Sequence, residues 1–165
     1  MRRWAPAALL AALLFAHPAA LAEPPVRVLV FDLELLDTSG EPSNPDHAGR
    51  LQRMTEVLRD GLAASGRYAV TGVRDSAVAA AAPASVHACN GCELELGRKA
   101  GAEIVVTGVI HKISTLILNV EIILRDTSSG APVAVGVADI RGDNERAWRR
   151  GVDWLLRHRL LPNAP

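Results

Sequence analysis

The chain has 165 residues, with 18 basic and 18 acidic side chains and a formal net charge of zero. That length suits one ordinary domain with a hydrophobic core that needs neither disulfides nor metal. The charge balance excludes the broad basic face that would hold a nucleic-acid backbone, so no nucleic-acid partner is expected.

Arg2 and Arg3 give a positive start, Trp4 to Phe15 is nearly all Ala and Leu, and Ala20-Leu21-Ala22 is a small-x-small cleavage pattern. These features predict a secretory signal peptide over residues 1–22, cut after Ala22. The apolar run is too short to stay as a membrane-spanning helix. No Cys stands at the cut to take a lipid, so the expected product is a periplasmic protein without lipid anchor or transmembrane segment. Residues 23–165 carry 16 basic and 18 acidic side chains and are expected to form a single domain.

Val26 to Leu33 is apolar and β-branched and reads as a buried strand. Asp37 to Pro45 reads as a loop, and Asp46 is placed to cap a helix whose apolar face is Leu51, Met54, Val57, Leu58 and Leu62, ended by Gly66. Tyr68 to Thr71 is a short strand. Ser76 to Ala82 is Ala-rich and helix-prone until Pro83, and Glu93 to Ala100 is a further short helix.

The pattern then changes to sheet. Glu103 to Ile110, Leu116 to Arg125 and Pro132 to Ile140 read as strands, with Asp126 to Gly130 as a turn. Glu145 to Leu161 is an amphipathic helix, with Asp143 or Asn144 at its cap. Trp148 is expected to anchor it to the sheet and Trp154 to stand at the surface. The order β-α-β-α-α-β-β-β-α predicts an α/β (α+β) domain of two or three layers, with a mixed sheet of about five strands.

Residues that carry chemistry are few. Cys89-Asn90-Gly91-Cys92 has the spacing for a small disulfide ring, and Cys92 lies at a helix start that favours a thiolate. Glu93 and Glu95 put opposing negative charge beside the sulfurs. A local structural disulfide is the preferred reading; redox activity stays open. His87, Cys89 and Cys92 are weak candidates for metal ligands because a fourth ligand is missing, and no metal or other cofactor is expected. Asp32 and Glu34 follow the first strand, where α/β proteins place ligands, and form a candidate ligand edge. The plainer reading has them capping the next loop and facing water. Lys112 and Arg125 read as cross-strand partners of Glu121 and Asp126 on a solvated sheet face. No catalytic motif is present.

The run Leu96-Gly97-Arg98-Lys99-Ala100-Gly101-Ala102-Glu103 into Val105-Val106-Thr107-Gly108-Val109, followed by Ile122 to Gly130 with Asp126-Thr127, resembles the amino-terminal domain of the TolB translocation protein. The curli secretion lipoprotein and the lipoprotein activators of penicillin-binding proteins are similar. The C-x-x-C loop, Lys112 to Leu118 and Asp139 to Asn144 resemble a family of secreted bacterial proteins. The first resemblance implies a TolB-like fold. A non-enzymatic accessory or assembly role through contact with a periplasmic protein is expected with it, the partner's identity open. The second implies the alternative, a thiol-redox or metal-handling protein serving a periplasmic quinoprotein oxidoreductase.

Overall fold

Val28, Leu29 and Val30 are buried on both sides of the backbone, as expected of a strand flanked by parallel neighbours. In the computed structural model, which describes residues 23–161, they form β1 (Val26–Val30) between β3 (Tyr68–Gly72) and β4 (Ile104–Lys112), both parallel to it. The predicted signal peptide lies outside the described residues. β5 (Ile117–Asp126) and β6 (Pro132–Arg141) continue β4 as an antiparallel meander. The path across the sheet is β3-β1-β4-β5-β6, and β2 (Glu34–Asp37) pairs with the far end of β4, making six strands.

The strand expected through Leu33 is shorter, ending at Val30, and β2 is a separate strand that begins at Glu34. The Phe31 amide still donates to the Val106 carbonyl (2.9 Å); beyond it the chain leaves the ladder, and the Leu33 amide donates to Thr55 Oγ1 (2.9 Å) on the helix behind. Gly108 on β4 makes this crossing possible, since a Cβ there would come within 2.4 Å of Leu33 Cδ2.

Three helices complete the fold: α1 (Asp46–Ala64), α2 (Cys92–Lys99) and α3 (Glu145–Leu155). α1 buries His47, Arg50, Met54, Leu58 and Leu62, one stripe at helical spacing. Asp46 is not its cap. Pro45 holds that position, Asn44 accepts from the Asp46 and His47 amides, and Asp46 lies in the first turn, where the helix dipole favours its charge. Ser76 to Ala82 is not a helix either. Short 3-10 turns at Val73–Asp75 and Ala79–Ala81 replace it, because only Val78 of that stretch is buried and an isolated short helix is too costly to nucleate. Asn144 caps α3, accepting from the Ala147 amide (3.0 Å), and a wider turn over Leu156–Leu160 extends it.

α1 and α3 share one face of the sheet, packing on Val28, Val30, Val106, Ile110, Val120, Ile122 and Leu124. Trp148 is fully buried there, as expected. On the opposite face, α2 and the 73–91 segment cover Leu29, Phe31 and Val105 but stop short of β6. Three layers at one end of the sheet thus become two at the other.

Candidate functional site

The 73–91 segment crosses the carboxyl ends of β1 and β3, and the two candidate acids are spent in holding it. Asp32 accepts from Arg74 Nε (2.6 Å). Glu34 accepts from Ser85 Oγ (2.5 Å) and from the Val86 and His87 amides (2.7 and 3.0 Å). A carboxylate with three donors is well satisfied and poorly placed to shuttle protons. Neither acid caps the loop that follows it. A hollow of about 300 Å³ lies beside them, lined by Phe31, Asp32, Glu34, Val73 and Arg74 among others.

Beyond Glu34 the segment closes on itself through a Cys89–Cys92 disulfide, with Cα atoms 5.6 Å apart. Asn90 and Gly91 between them are both left-handed, at φ +50° and +105°, a tight turn that Asn-Gly makes at little cost. Cys92 is the first residue of α2, and Leu96 and Gly97 bury that helix against the sheet. Both cysteines are half-buried. Glu93 lies under the ring: Oε2 is 3.8 Å from Cys89 Sγ, and Oε1 accepts from Arg125 Nη1 (2.8 Å).

A sulfur and a carboxylate so close would disfavour a thiolate after reduction. Cys89, Cys92 and Glu93 are the ligand types brought within 4.8 Å of one another among the described residues, and His87 is not with them. With the sulfurs bonded to each other, no thiolate is available to a metal. His87 instead lines a second hollow of about 300 Å³ with Glu34, Asn90, Glu121 and Arg125, between the disulfide loop and the sheet.

Lys112 is not on a solvated face. Its side chain is 2% exposed, and its ammonium donates to Ser39 Oγ (2.7 Å) and pairs with Glu41 (2.8 Å) and Asp37 (3.3 Å). Bonds from Ser39, then the Lys112 ammonium, hold the Asp37 carboxyl at about 2. The Lys112 bond, then bonds from Thr115, do the same for Glu41. The Glu41 bond in turn raises Lys112 above its ordinary value. Arg125 pairs with Glu93, not with the acids of its own hairpin. Asp143, the other cap candidate, is buried between His47 Nε2 (2.7 Å) and Arg50 Nη1 (2.5 Å), with Trp148 stacked on both. These clusters tie elements together, and of them the Arg125–Glu93 pair borders the hollow beside the disulfide loop.

The least satisfied surface is the outer side of β5 and β6. Val133, Val135 and Val137 are 53%, 49% and 50% exposed, and among the described residues β6 has no strand on its outer edge. The tip of the β4–β5 hairpin adds Ile113, Leu116 and Ile117, all exposed. Beside β6, Trp154 stands 38% exposed at the rim of a groove of about 470 Å³ between β6 and α3. The sequence carries a signal for this surface: Val133, Val135 and Val137 alternate with Ala134, Gly136 and Ala138, so the larger apolar residues are on the face away from the helices.

A six-stranded mixed sheet with two helices on one face and a short helix on the other defines a fold shared with bacterial lipoprotein-like structures. PelC from Paraburkholderia phytofirmans, solved as a dodecamer, has a TM-score of 0.55 at 18% identity, over 81% of this chain and 86% of that one. Lipoprotein GNA1162 from Neisseria meningitidis has 0.54 at 14%, over 80% and 96%. The LpoB C-terminal domain from Salmonella enterica has 0.52 at 18%, over 73% and 86%. The chain itself belongs to the DUF3280 family, described as "Protein of unknown function (DUF2380)", whose model matches residues 26–160. No curated protein matches it significantly. Among the described residues, no helix is long and apolar enough to cross a membrane.

Proposed function

We propose that this is a periplasmic accessory protein acting by contact with another protein and not by catalysis. Residues 1–22 direct its export, cleavage follows Ala22, and residues 23–165 are the working domain. The observation that carries the reading is the uncovered β5–β6 face, where three half-exposed valines lie beside a free sheet edge. The acids and cysteines that could have carried chemistry are meanwhile occupied in structural contacts.

A photo-crosslinking residue placed at Val135, in cells, is expected to trap a discrete partner protein. The same residue at the exposed Glu95 on α2 is expected to trap none. Equal or no adducts at both positions would sink the reading.

The second reading is thiol-redox or metal-handling service to a periplasmic oxidoreductase, quinoprotein or other. It draws on the accessibility of the Cys89–Cys92 bond and the place of Cys92 at a helix start. Its test is the reduction potential of the pair. A value below about −300 mV marks a structural ring, and one between about −230 and −120 mV marks a working couple.

A further inference from the structure

We propose that the groove between the free edge of β6 and α3 receives an extended acidic segment of a partner protein, added as a strand alongside β6. This rests on the protein-contact reading above and names the partner's chemistry. Residues 137–141 of β6 form one wall of the groove, and Ala147, Arg150, Gly151 and Trp154 of α3 form the other. β6 is bonded to β5 on one side only, and such an edge offers unpaired N–H and C=O groups to an incoming strand. Pro132 weakens the start of β6 as a template, which leaves its second half.

Side-chain alternation sets what fits. Ala138 and Ile140 face the helix layer, while Val137, Asp139 and Arg141 face outward. An added strand therefore directs every second side chain toward the α3 wall of the groove, where Arg150 stands and Trp154 closes the end.

Charge decides the rest. Among the described residues, Arg141 and Arg150 in the groove have no acid within ion-pair distance. Arg146, Arg157 and Arg159 nearby have none either. The α3 acids are already engaged, Glu145 by Arg53 (2.7 Å) and Asp153 by Arg149 (3.8 Å), so Asp139 is the one carboxylate lining the groove. Two guanidinium groups against one carboxylate favour an acidic strand. A second copy of this chain would bring the same surplus of positive charge to the junction.

The test uses the exported protein and two fluorescent heptapeptides, Asp-Val-Glu-Ile-Asp-Val-Glu and its counterpart with Lys at every acidic position, followed by anisotropy and amide NMR. The acidic peptide is expected to bind at least tenfold more tightly than the Lys peptide, to weaken several-fold from 50 to 300 mM salt, and to shift amides of 137–141 and 147–154. The double variant R141E/R150E, two exposed side chains without ion pairs, is expected to remove that preference while the thermal midpoint stays within 2 °C of wild type. Equal binding of the two peptides at these amides, or indifference to R141E/R150E, overturns the acidic class while leaving an edge-binding protein. Shifts elsewhere, or no binding of either peptide, overturn the groove itself; the Val135 crosslink then reports whether the contact reading survives without it. If the protein is a dimer with 137–141 amides protected before peptide is added, the occupant is a second copy and the proposal is wrong.

Discussion

Along Val28–Val30 of β1 and the start of β4, side chains are buried on both faces; along β6 only the face toward α3 is covered. The covered end is held by straps that cross the sheet: Asp32 and Glu34 to the 73–91 segment, the disulfide ring, and Glu93 to Arg125. The uncovered end has no such strap on its outer face, and its exposed valines contribute little to folding. Residues whose chemistry invites a catalytic reading are thus concentrated where the fold needs fastening. Residues that look inert are concentrated where a partner has access.

The contrast can be broken first through the helix layer, which both ends share. Asp143→Ala leaves the Arg50 guanidinium buried without its anion, beside Trp148. Breaking a buried pair in this way is expected to cost about 3–5 kcal/mol, read from urea denaturation at pH 7. A loss under about 1 kcal/mol would mean that water reaches the cluster and that α1 and α3 are not locked through it. Ile122→Ala, on the helix side of β5, is expected to cost about 2–5 kcal/mol by the same measurement, because the side chain is fully buried in the core.

Straps come next in size. Replacing both Cys89 and Cys92 by Ser removes a ring of four residues, for which loop entropy gives about 2 kcal/mol. If the ring is a staple only, crosslinking at Val135 survives this change. Loss of the crosslink with the fold intact would move the function to the covered end and favour the redox reading.

A smaller effect is confined to acid. Asp37 and Glu41 have folded values near 2, below their unfolded values near 4, so the stability they supply is complete above about pH 4. It is lost as the pH falls through about 2. The thermal midpoint of the wild type should fall between pH 5 and pH 2, and Asp37→Asn with Glu41→Gln should flatten that slope. An unchanged slope would show that Ser39, Thr115 and Lys112 do not hold the two carboxylates as described.

Much of this architecture is legible in the sequence where periodicity is strong. Leu118, Val120, Ile122 and Leu124 alternate and are buried as read, and Trp148 anchors α3. The errors at charged side chains share one physical origin. Local sequence points Lys112, Asp143, Arg125 and Glu34 to nearby partners or to solvent, yet each is satisfied across a separation of 32 to 96 residues. Local pattern does not carry such pairings. The same limit explains β2, since Glu34–Asp37 is a strand only because β4 runs past the point where β1 ends. The uncovered valines were legible in principle, but alternation marks only that one face differs from the other. Which face the helices take depends on the small residues Ala134, Gly136 and Ala138, and a Cβ on Gly136 would strike Leu155 of α3 at 2.8 Å.

The smallest expected change in stability sharpens the comparison most. Val135→Thr keeps the β-branched shape and the strand propensity while adding a hydroxyl to a half-exposed position. Its cost should lie within about 0.5 kcal/mol, as for surface sites outside any special feature. Ile122→Ala on the neighbouring strand should cost several times more, although Ile122 lies one residue from Ile123, the partner of Val135 in the ladder. If partner capture in cells nevertheless drops with Val135→Thr while the urea midpoint holds, folding and contact belong to opposite faces of the same two strands. If stability falls as far as with Ile122→Ala, the outer face is covered in the folded protein, and the asymmetry between the two ends of the sheet disappears.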